Sequence, residues 1–279
     1  LYYQETSDAV VSVWRVDYEM AVRTNGKGDA TSHADILTQK LLAHLPLVHH
    51  PAPRDVAVIG LASGVSLGSV LTWPGVGHVD CVEIVPAMKK AAALFRAYNH
   101  DCLADPRVRI VENDGRNHLA LTSQLYDVIV SEPSNPWISG ISALFTRDFY
   151  RLAQERLKPD GIYCQWVQTY QITRDDFGAV LRTFRASFPH VSIWMGAPGD
   201  VILLGSRQPL GLDTARLARL DALPTVRDDL AAADITDRWG FLAAWLGRDA
   251  TLQQLIPAGA PFITDDNLRL EYSMPRHLH

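Results

Sequence analysis

The sequence predicts an α/β fold, a doubly wound and mostly parallel sheet preceded by a small N-terminal β-region. Three observations predict it. Between residues 55 and 206, short apolar runs alternate with stretches of helical spacing, the rhythm of βαβ units. Several of those runs end in glycine or an acid, at the strand ends where an open parallel sheet gathers its ligand-binding groups. Residues 1–30 alternate apolar and polar positions and close on Asn25-Gly26, the pattern of antiparallel strands joined by tight turns.

The elements follow in order. Residues 32–46 carry Ile36, Leu37, Leu41, Leu42 and Leu45 at helical spacing, with Ser32 as expected N-cap and Pro46 as expected stop. Val56-Ala57-Val58-Ile59 is the first buried strand and 67–73 the helix after it. Residues 79–84 form the second strand and 86–98 a helix that opens on proline. A third strand at 108–111, a helix at 116–122 and a fourth strand at 126–131 come next. Residues 145–157 read as a long helix stopped by Lys158-Pro159-Asp160-Gly161. The fifth strand is 162–167, the following helix 175–188, and 191–195 with 201–206 complete the sheet. Beyond it, 213–220 and 231–245 look helical and 264–272 looks extended. The expected organisation is a β-hairpin region over 1–31, a Rossmann-like domain over 32–206 and a helical appendage over 207–279 packed on it.

Composition bounds the function. The 279 residues are 47% hydrophobic and 20% charged, as in a soluble globular protein. A net charge of −5 without any lysine- or arginine-rich run excludes a broad nucleic-acid footprint. The three cysteines, Cys81, Cys102 and Cys164, fit no metal motif and read as free thiols of a reducing compartment. No apolar run approaches the roughly 18 residues of a membrane span, and no signal peptide is visible. The chain opens on Leu1 and reads as a piece of a longer protein.

The strand ends carry the candidate chemistry. After the first strand, Gly60-Leu61-Ala62-Ser63-Gly64 either lets a ligand approach the backbone or serves only as a tight strand–helix turn. Its glycine spacing is not that of the dinucleotide fingerprint. Glu83 ends the second strand about 20 residues past Gly60, where a carboxylate with two acceptor oxygens can take both ribose hydroxyls; the alternative is an exposed strand-end acid. Asn113-Asp114-Gly115 after the third strand offers an acceptor for an adenine amino group, or a plain turn. After the fourth strand, Ser131-Glu132-Pro133-Ser134-Asn135-Pro136-Trp137 is a stiff loop whose Glu132 could take a proton from an attacking amine, or be merely a solvated acid. Gln165 and Gln168 bracket Trp166 and either bind polar substrate groups or are satisfied within the loop. His49-His50, His277 and His279 have no metal-ligand partners at sensible spacing and read as surface histidines; no metal is expected. No nucleophile elbow, P-loop or zinc-protease motif is present.

These positions resemble the spermidine synthase (polyamine aminopropyltransferase) family. The resemblance runs from about residue 9 to 206. It rests on Leu42-Ala43-His44-Leu45-Pro46, the 60–64 loop, Val82-Glu83-Ile84, Asp105-Pro106-Arg107-Val108, Asp114-Gly115, Leu144-Phe145-Thr146 and Phe149-Tyr150 in family order. It implies a Rossmann-like S-adenosylmethionine-dependent methyltransferase fold with a small N-terminal β-domain. It also implies transfer of a 3-aminopropyl group from decarboxylated S-adenosylmethionine to an amine, with release of methylthioadenosine. On that resemblance Glu132 is catalytic; Gln39, Gly60, Ser63, Gly64, Glu83, Asp114 and Gly115 hold the donor; and Asn135 and Gln165 face the acceptor.

Departures are concentrated at the acceptor end. Thr38-Gln39-Lys40 stands where the family has Tyr-His-Glu, Ser63 replaces the acid of its glycine loop, and Asn135 replaces the second acid of its catalytic loop. A lost charge-assisted hydrogen bond costs about 1.5–3 kcal/mol, so the amine half is eroded while the nucleoside half is kept. The loop 131–137, Gln165-Trp166 and Thr264-Asp265-Asp266 look closest to a bacterial spermidine synthase-like branch often fused behind a multi-pass membrane region. The expected location is therefore cytoplasmic, with any membrane attachment through a region outside this sequence and a homodimer compatible with the family. Three readings follow. The first is an aminopropyltransferase with decarboxylated S-adenosylmethionine as co-substrate and no prosthetic group. The second uses S-adenosylmethionine itself with a non-polyamine acceptor or a cyclisation. The third is a non-catalytic nucleoside sensor.

Overall fold

Val56, Ala57 and Val58 are wholly inaccessible, as are Val79 and Cys81 and the run Val128-Ile129-Val130. Strands with no solvent face belong at the centre of a sheet covered by helices on both sides. The computed structural model describes residues 1–6 and 9–277 and builds on these runs. An antiparallel sheet comes first, with β1 (Tyr2–Glu5), β2 (Val10–Val16), β3 (Glu19–Thr24) and β4 (Lys27–Thr31) in chain order. After α1 (Ile36–His49) the main sheet begins with β5 (Asp55–Ile59), α2 (Val65–Leu71), β6 (His78–Glu83) and α3 (Met88–Ala92). It continues with β7 (Val108–Glu112), α4 (Gly115–Leu121), β8 (Tyr126–Ser131), α5 (Arg147–Arg156) and β9 (Leu157–Gln168). Helix α6 (Arg174–Ser187), β10 (His190–Met195) and β11 (Asp200–Ser206) follow. The C-terminal part holds α7 (Thr214–Ala222), α8 (Pro224–Ala231), α9 (Arg238–Ala243), β12 (Trp245–Arg248), α10 (Asp249–Leu255) and α11 (Arg269–Ser273).

The main sheet runs β12-β10-β11-β9-β8-β5-β6-β7. Strands β9 to β7 are parallel, and β10, β11 and β12 join antiparallel. Chain order reverses at β5, which pairs with β6 on one side and β8 on the other, so the ligand crevice of such a sheet lies at the carboxyl ends of these strands. One face packs Val56, Val58, Val128 and Val130 on α1 and α2; the other packs Ala57 and Ile129 with Phe149, Tyr150 and Phe184 of α5 and α6. No helix among the described residues is long and apolar enough to cross a membrane.

Several expected boundaries move, each for a local reason. The helix expected over 32–46 is α1. Ser32 does not cap it, because its hydroxyl accepts the Met20 N–H at 2.9 Å and closes the small sheet. Pro46 does not stop it: α1 is buried from Thr38 to His49, and tertiary packing carries it past the missing N–H. The helix expected over 86–98 shortens to α3 and a 3-10 turn, Ala93–Phe95. The stop at 158–161 lies inside β9, which starts directly after α5. Residues 231–245 split, since Asp237 accepts the Trp239 and Gly240 N–H groups and starts α9 afresh. Residues 264–272 are not extended: Asn267 accepts the Thr264 N–H and donates to Phe262 O, turning the chain into α11. His49 and His50 are buried rather than at the surface. His49 donates to Leu45 O at 2.7 Å, and His50 lies 3.7 Å from Asp127 and 3.6 Å from Asp160. His279 and the side chain of His277 lie outside the described residues.

The C-terminal part is tied to both ends of the molecule. Strand β12 extends the main sheet beyond β10, and Glu271 of α11 accepts from the Ser139 hydroxyl and the Gly140 N–H. Asp229 of α8 is buried against α1, where it accepts from Lys40 and binds His44 Nε2 at 2.8 Å and His100 Nε2 at 2.6 Å. The Trp73 indole N–H donates to His44 Nδ1, so the His44 proton sits on Nε2 and points at Asp229. Burial alone would raise the Asp229 carboxyl, but the two histidines and Lys40 hold it far below the usual carboxylate range.

Removing one partner of such a buried charge set is strongly destabilising. We expect Asp229→Asn to lose about 3–5 kcal/mol of unfolding free energy at neutral pH. A depressed carboxyl contributes stability above its unfolded value and loses it as pH falls, so the gap to wild type narrows below about pH 4. Urea unfolding of both proteins at neutral and acid pH checks this.

Candidate functional site

Three strand ends converge at the β5 switch point. Gly60 leaves β5 with φ +99°, and a Cβ there would lie 2.5 Å from the Glu132 carbonyl oxygen. The Glu132 N–H donates to Ile59 O at 2.9 Å. Glycine is thus required where the 60–64 loop passes under the loop that follows β8. Gly64, with φ +78°, starts α2; a Cβ there would meet Asn99 and Cys102 at 3.0 Å.

Glu83 is only 8% exposed, which excludes the exposed strand-end acid. Its Oε2 accepts the Leu61 N–H at 2.9 Å and its Oε1 the Val85 N–H at 2.8 Å. Burial pushes its carboxyl up, and these amides pull it back. Each oxygen keeps a further lone pair for a ligand. Asp114 caps α4 by accepting the Asn117 N–H at 2.8 Å through Oδ1. Gly115 serves packing: a Cβ would lie 2.5 Å from the Ile59 side chain.

Ser63 donates to the Gln39 side-chain oxygen. The Gln39 amide in turn donates to Asp35 at 2.8 Å and to Thr31 O at 2.9 Å. The glycine loop therefore has no acid of its own but is wired to one. Lys40, next in α1, faces away and is held by Asp229.

Glu132 continues the β8 face that carries Val128 and Val130, toward α1 and α2. Its Oε2 accepts the Ser66 hydroxyl of α2 at 2.5 Å. Desolvation pushes its carboxyl up to about 8; the Ser66 bond opposes this, and the charges of Asp35 and Asp200 add to it. The strongest influences on Glu132, Glu83, Asp35 and Asp200 are burial, hydrogen bonds and neighbouring carboxylates.

Asn135 is fully buried, donates its amide to the Tyr170 hydroxyl at 3.1 Å, and leaves Oδ1 without a partner. Trp137 packs edge-on against Tyr170. The loop is anchored at Ser134, which donates to Asp29 of the N-terminal sheet at 2.8 Å. Gln165 is spent internally, accepting from Tyr163 at 2.6 Å and donating to Trp166 O at 3.1 Å; it lies on the face of α5 and α6 with Tyr163 and Val167. Gln168 is the opposite case, fully buried with both amide atoms unpartnered. Asp35, Ser66 and Asp200 were not singled out from sequence. A cavity of about 290 Å³ between Pro51, Arg54, Trp73 and Arg219 holds none of the strand-end residues; the chemistry lies at the other end of the strands.

The chain matches the family model described as spermine/spermidine synthase domain over residues 36–196. A polyamine aminopropyltransferase of Caldicellulosiruptor saccharolyticus is 27% identical, over 65% of this chain and 68% of that protein. A putrescine N-methyltransferase 2 of Nicotiana attenuata is 30% identical over 53% of this chain and 40% of its own length. A crystal structure of a spermidine synthase in complex with the transition state analogue AdoDATO superposes with a TM-score of 0.72. It has 22% identity and covers 80% of this chain and 79% of that one, a likeness of fold.

Glu132 generates a stability prediction. With its carboxyl raised above an unfolded value of about 4.3, the native state holds a proton that the unfolded chain has released. Stability from this site is full below about pH 4.3 and is lost as pH rises toward 8. Glu132→Gln mimics the protonated form, so wild type should lose more melting temperature than the variant between about pH 5 and pH 9. Parallel melting curves would show a solvated carboxyl.

Proposed function

The chain belongs to the spermine/spermidine synthase family, and on that premise we propose that it is an aminopropyltransferase. It moves a 3-aminopropyl group from decarboxylated S-adenosylmethionine to an amine and releases methylthioadenosine. The observation that carries this reading is Glu132. Its carboxyl is raised to about 8 and bonded to Ser66, and it stands across the β5 switch point from the Gly60 loop and Glu83.

We assign the nucleoside to the adjoining strand ends. Glu83 accepts the ribose hydroxyls on its remaining lone pairs, and Asp114 accepts the adenine amino group through Oδ2, since Oδ1 is occupied by Asn117. Gly60 and Gly64 shape the loop, and Gln39 fixes Ser63. The acceptor amine attacks the propyl carbon next to the sulfonium. The carbon–sulfur bond breaks, its electron pair stays on sulfur, and the product is a neutral thioether. The new secondary ammonium gives its proton to the Glu132 carboxylate. Charge on sulfur disappears in this step, so alignment and a deprotonated nucleophile supply most of the catalysis.

A second reading uses S-adenosylmethionine itself. Ser63 removes an acid that would repel the donor carboxylate, and the Nicotiana relative is named for methyl transfer to putrescine. Mass spectrometry of products with each donor, with and without a diamine, separates the two: methylthioadenosine for aminopropyl transfer, S-adenosylhomocysteine for methyl transfer. Absence of both products with every amine would overturn enzymatic transfer.

For the free enzyme kcat/KM should rise with pH and level off above about 8. Glu132→Gln should lower kcat by about 10²–10⁴-fold and remove that limb. A pH–rate profile of both proteins checks it.

A further inference from the structure

The strand ends described above are carboxyl ends; the amino ends of the same strands carry a separate set of polar side chains. His50 follows α1, Asp127 is the second residue of β8 and Asp160 lies near the start of β9. They are far apart in sequence, so no ligand spacing reveals them, but the parallel pairing of β5, β8 and β9 brings them together. Among the described residues they are the one set of three His, Cys, Asp or Glu side chains whose ligand atoms all lie within 4.8 Å of one another.

Two observations separate this set from a plain ion pair. The His50 ring is 2% exposed, yet its Nε2 has no hydrogen-bond partner. It stands 3.7 Å from Asp127 Oδ1 and 3.6 Å from Asp160 Oδ2, beyond hydrogen-bond reach of either. Burial lowers the ring below its ordinary value against the pull of both carboxylates, which favours the neutral form. Asp127, for its part, is fixed from behind. Its Oδ2 accepts the Arg54 N–H at 2.9 Å, the Asp55 N–H at 2.8 Å and the Lys158 ammonium at 2.9 Å. Oδ1 is left to face His50, its direction set by outer hydrogen bonds as it is in metal-binding carboxylates. Lys158 also donates to Asp55 at 2.6 Å. Three carboxylates against one ammonium leave two negative charges, which one divalent cation balances.

We infer that His50 Nε2, Asp127 Oδ1 and Asp160 Oδ2 form a binding site for a divalent transition metal of the zinc type, with water as its remaining ligand. An imidazole nitrogen beside two carboxylates suits zinc rather than magnesium. Ligands about 2.0–2.1 Å from a tetrahedral zinc stand about 3.3–3.4 Å apart, so the two His50 distances need to shorten by only a few tenths of an ångström. The Asp160 side chain is 53% exposed and marks the side from which the ion enters. The Ala52 N–H meets His50 Nδ1 at 3.2 Å. Ala52 is exposed, so this N–H turns to solvent as the ring proton moves to Nδ1 and frees Nε2 for the metal. The ion clamps the end of α1 to β8 and β9, at the end of the sheet remote from Glu132. Its role is stability, and it does not depend on the aminopropyl-transfer reading.

The test is calorimetry and thermal melting of the full chain after chelator treatment, with ZnCl2 and MgCl2 as probes. Wild type should bind Zn2+ about tenfold or more tighter than Mg2+, and its melting temperature should rise with zinc concentration. Asp160→Ala should weaken zinc binding by at least the roughly tenfold that loss of an outer partner costs, and should abolish the rise in melting temperature. His50→Gln should do the same; if that buried variant does not fold, Asp160→Ala, at a half-exposed position, decides alone. His78→Ala, at an exposed histidine 3.0 Å from Asp80, is the control and should change neither readout. The site is overturned by a wild type that takes Mg2+ as tightly as Zn2+ or binds no zinc. It is overturned equally by zinc binding that survives Asp160→Ala, or that is lost with His78→Ala instead.

Discussion

The site depends on one close approach, the passage of Gly60 beneath the Glu132 backbone. Because β5 pairs with both β6 and β8, their carboxyl ends must open at the same level, and the chain leaving β5 has to turn under the chain leaving β8. The Glu132 N–H to Ile59 O bond holds the two together, and the space left would admit no Cβ at residue 60. Glu83 reinforces the turn from the other side by gripping the Leu61 and Val85 amides. Glu83 and Glu132, the proposed ribose acceptor and the proposed base, are thus set by the same backbone crossing. A side chain at residue 60 would disturb both at once, in addition to the strain of a positive φ.

Those parts of the site that obey the strand-end rule could be read from sequence. Gly60, Glu83, Asp114 and Glu132 each follow an apolar run, and β5, β6, β7 and β8 are found within a residue or two of where the pattern puts them. The rule is blind to groups delivered by other routes. Asp35 reaches the glycine loop through Gln39 and Ser63, a chain of side-chain bonds with no periodic signature. Asp200 opens a strand instead of ending one, so it comes to the crevice only because β11 runs antiparallel to β9. Gln165 and Gln168 look alike in sequence and are separated by parity alone: one faces α5 and α6 and is satisfied, the other faces α1 and is not. The C-terminal region was the least legible. Its turns are made by Asp237 and Asn267 side chains, and its place in the fold is fixed by distant partners such as Lys40 and β10.

Helix α1 divides its side chains between the crevice and the C-terminal part. Thr38 and Gln39 point to the crevice, while Lys40 and His44 point to Asp229. The one lysine of the helix is thereby kept out of the crevice by a carboxylate that never meets solvent. The family pattern puts an acid at position 40; here a base stands there, balanced by α8. Glu132 keeps its proton to about pH 8 chiefly because it is desolvated, and the charges of Asp35 and Asp200 add to that. A bound sulfonium or ammonium would relieve the same repulsion electrostatically and release that proton. On the proposed reading, a cationic donor and acceptor beside Glu132 would thus themselves favour the carboxylate that the transfer step needs.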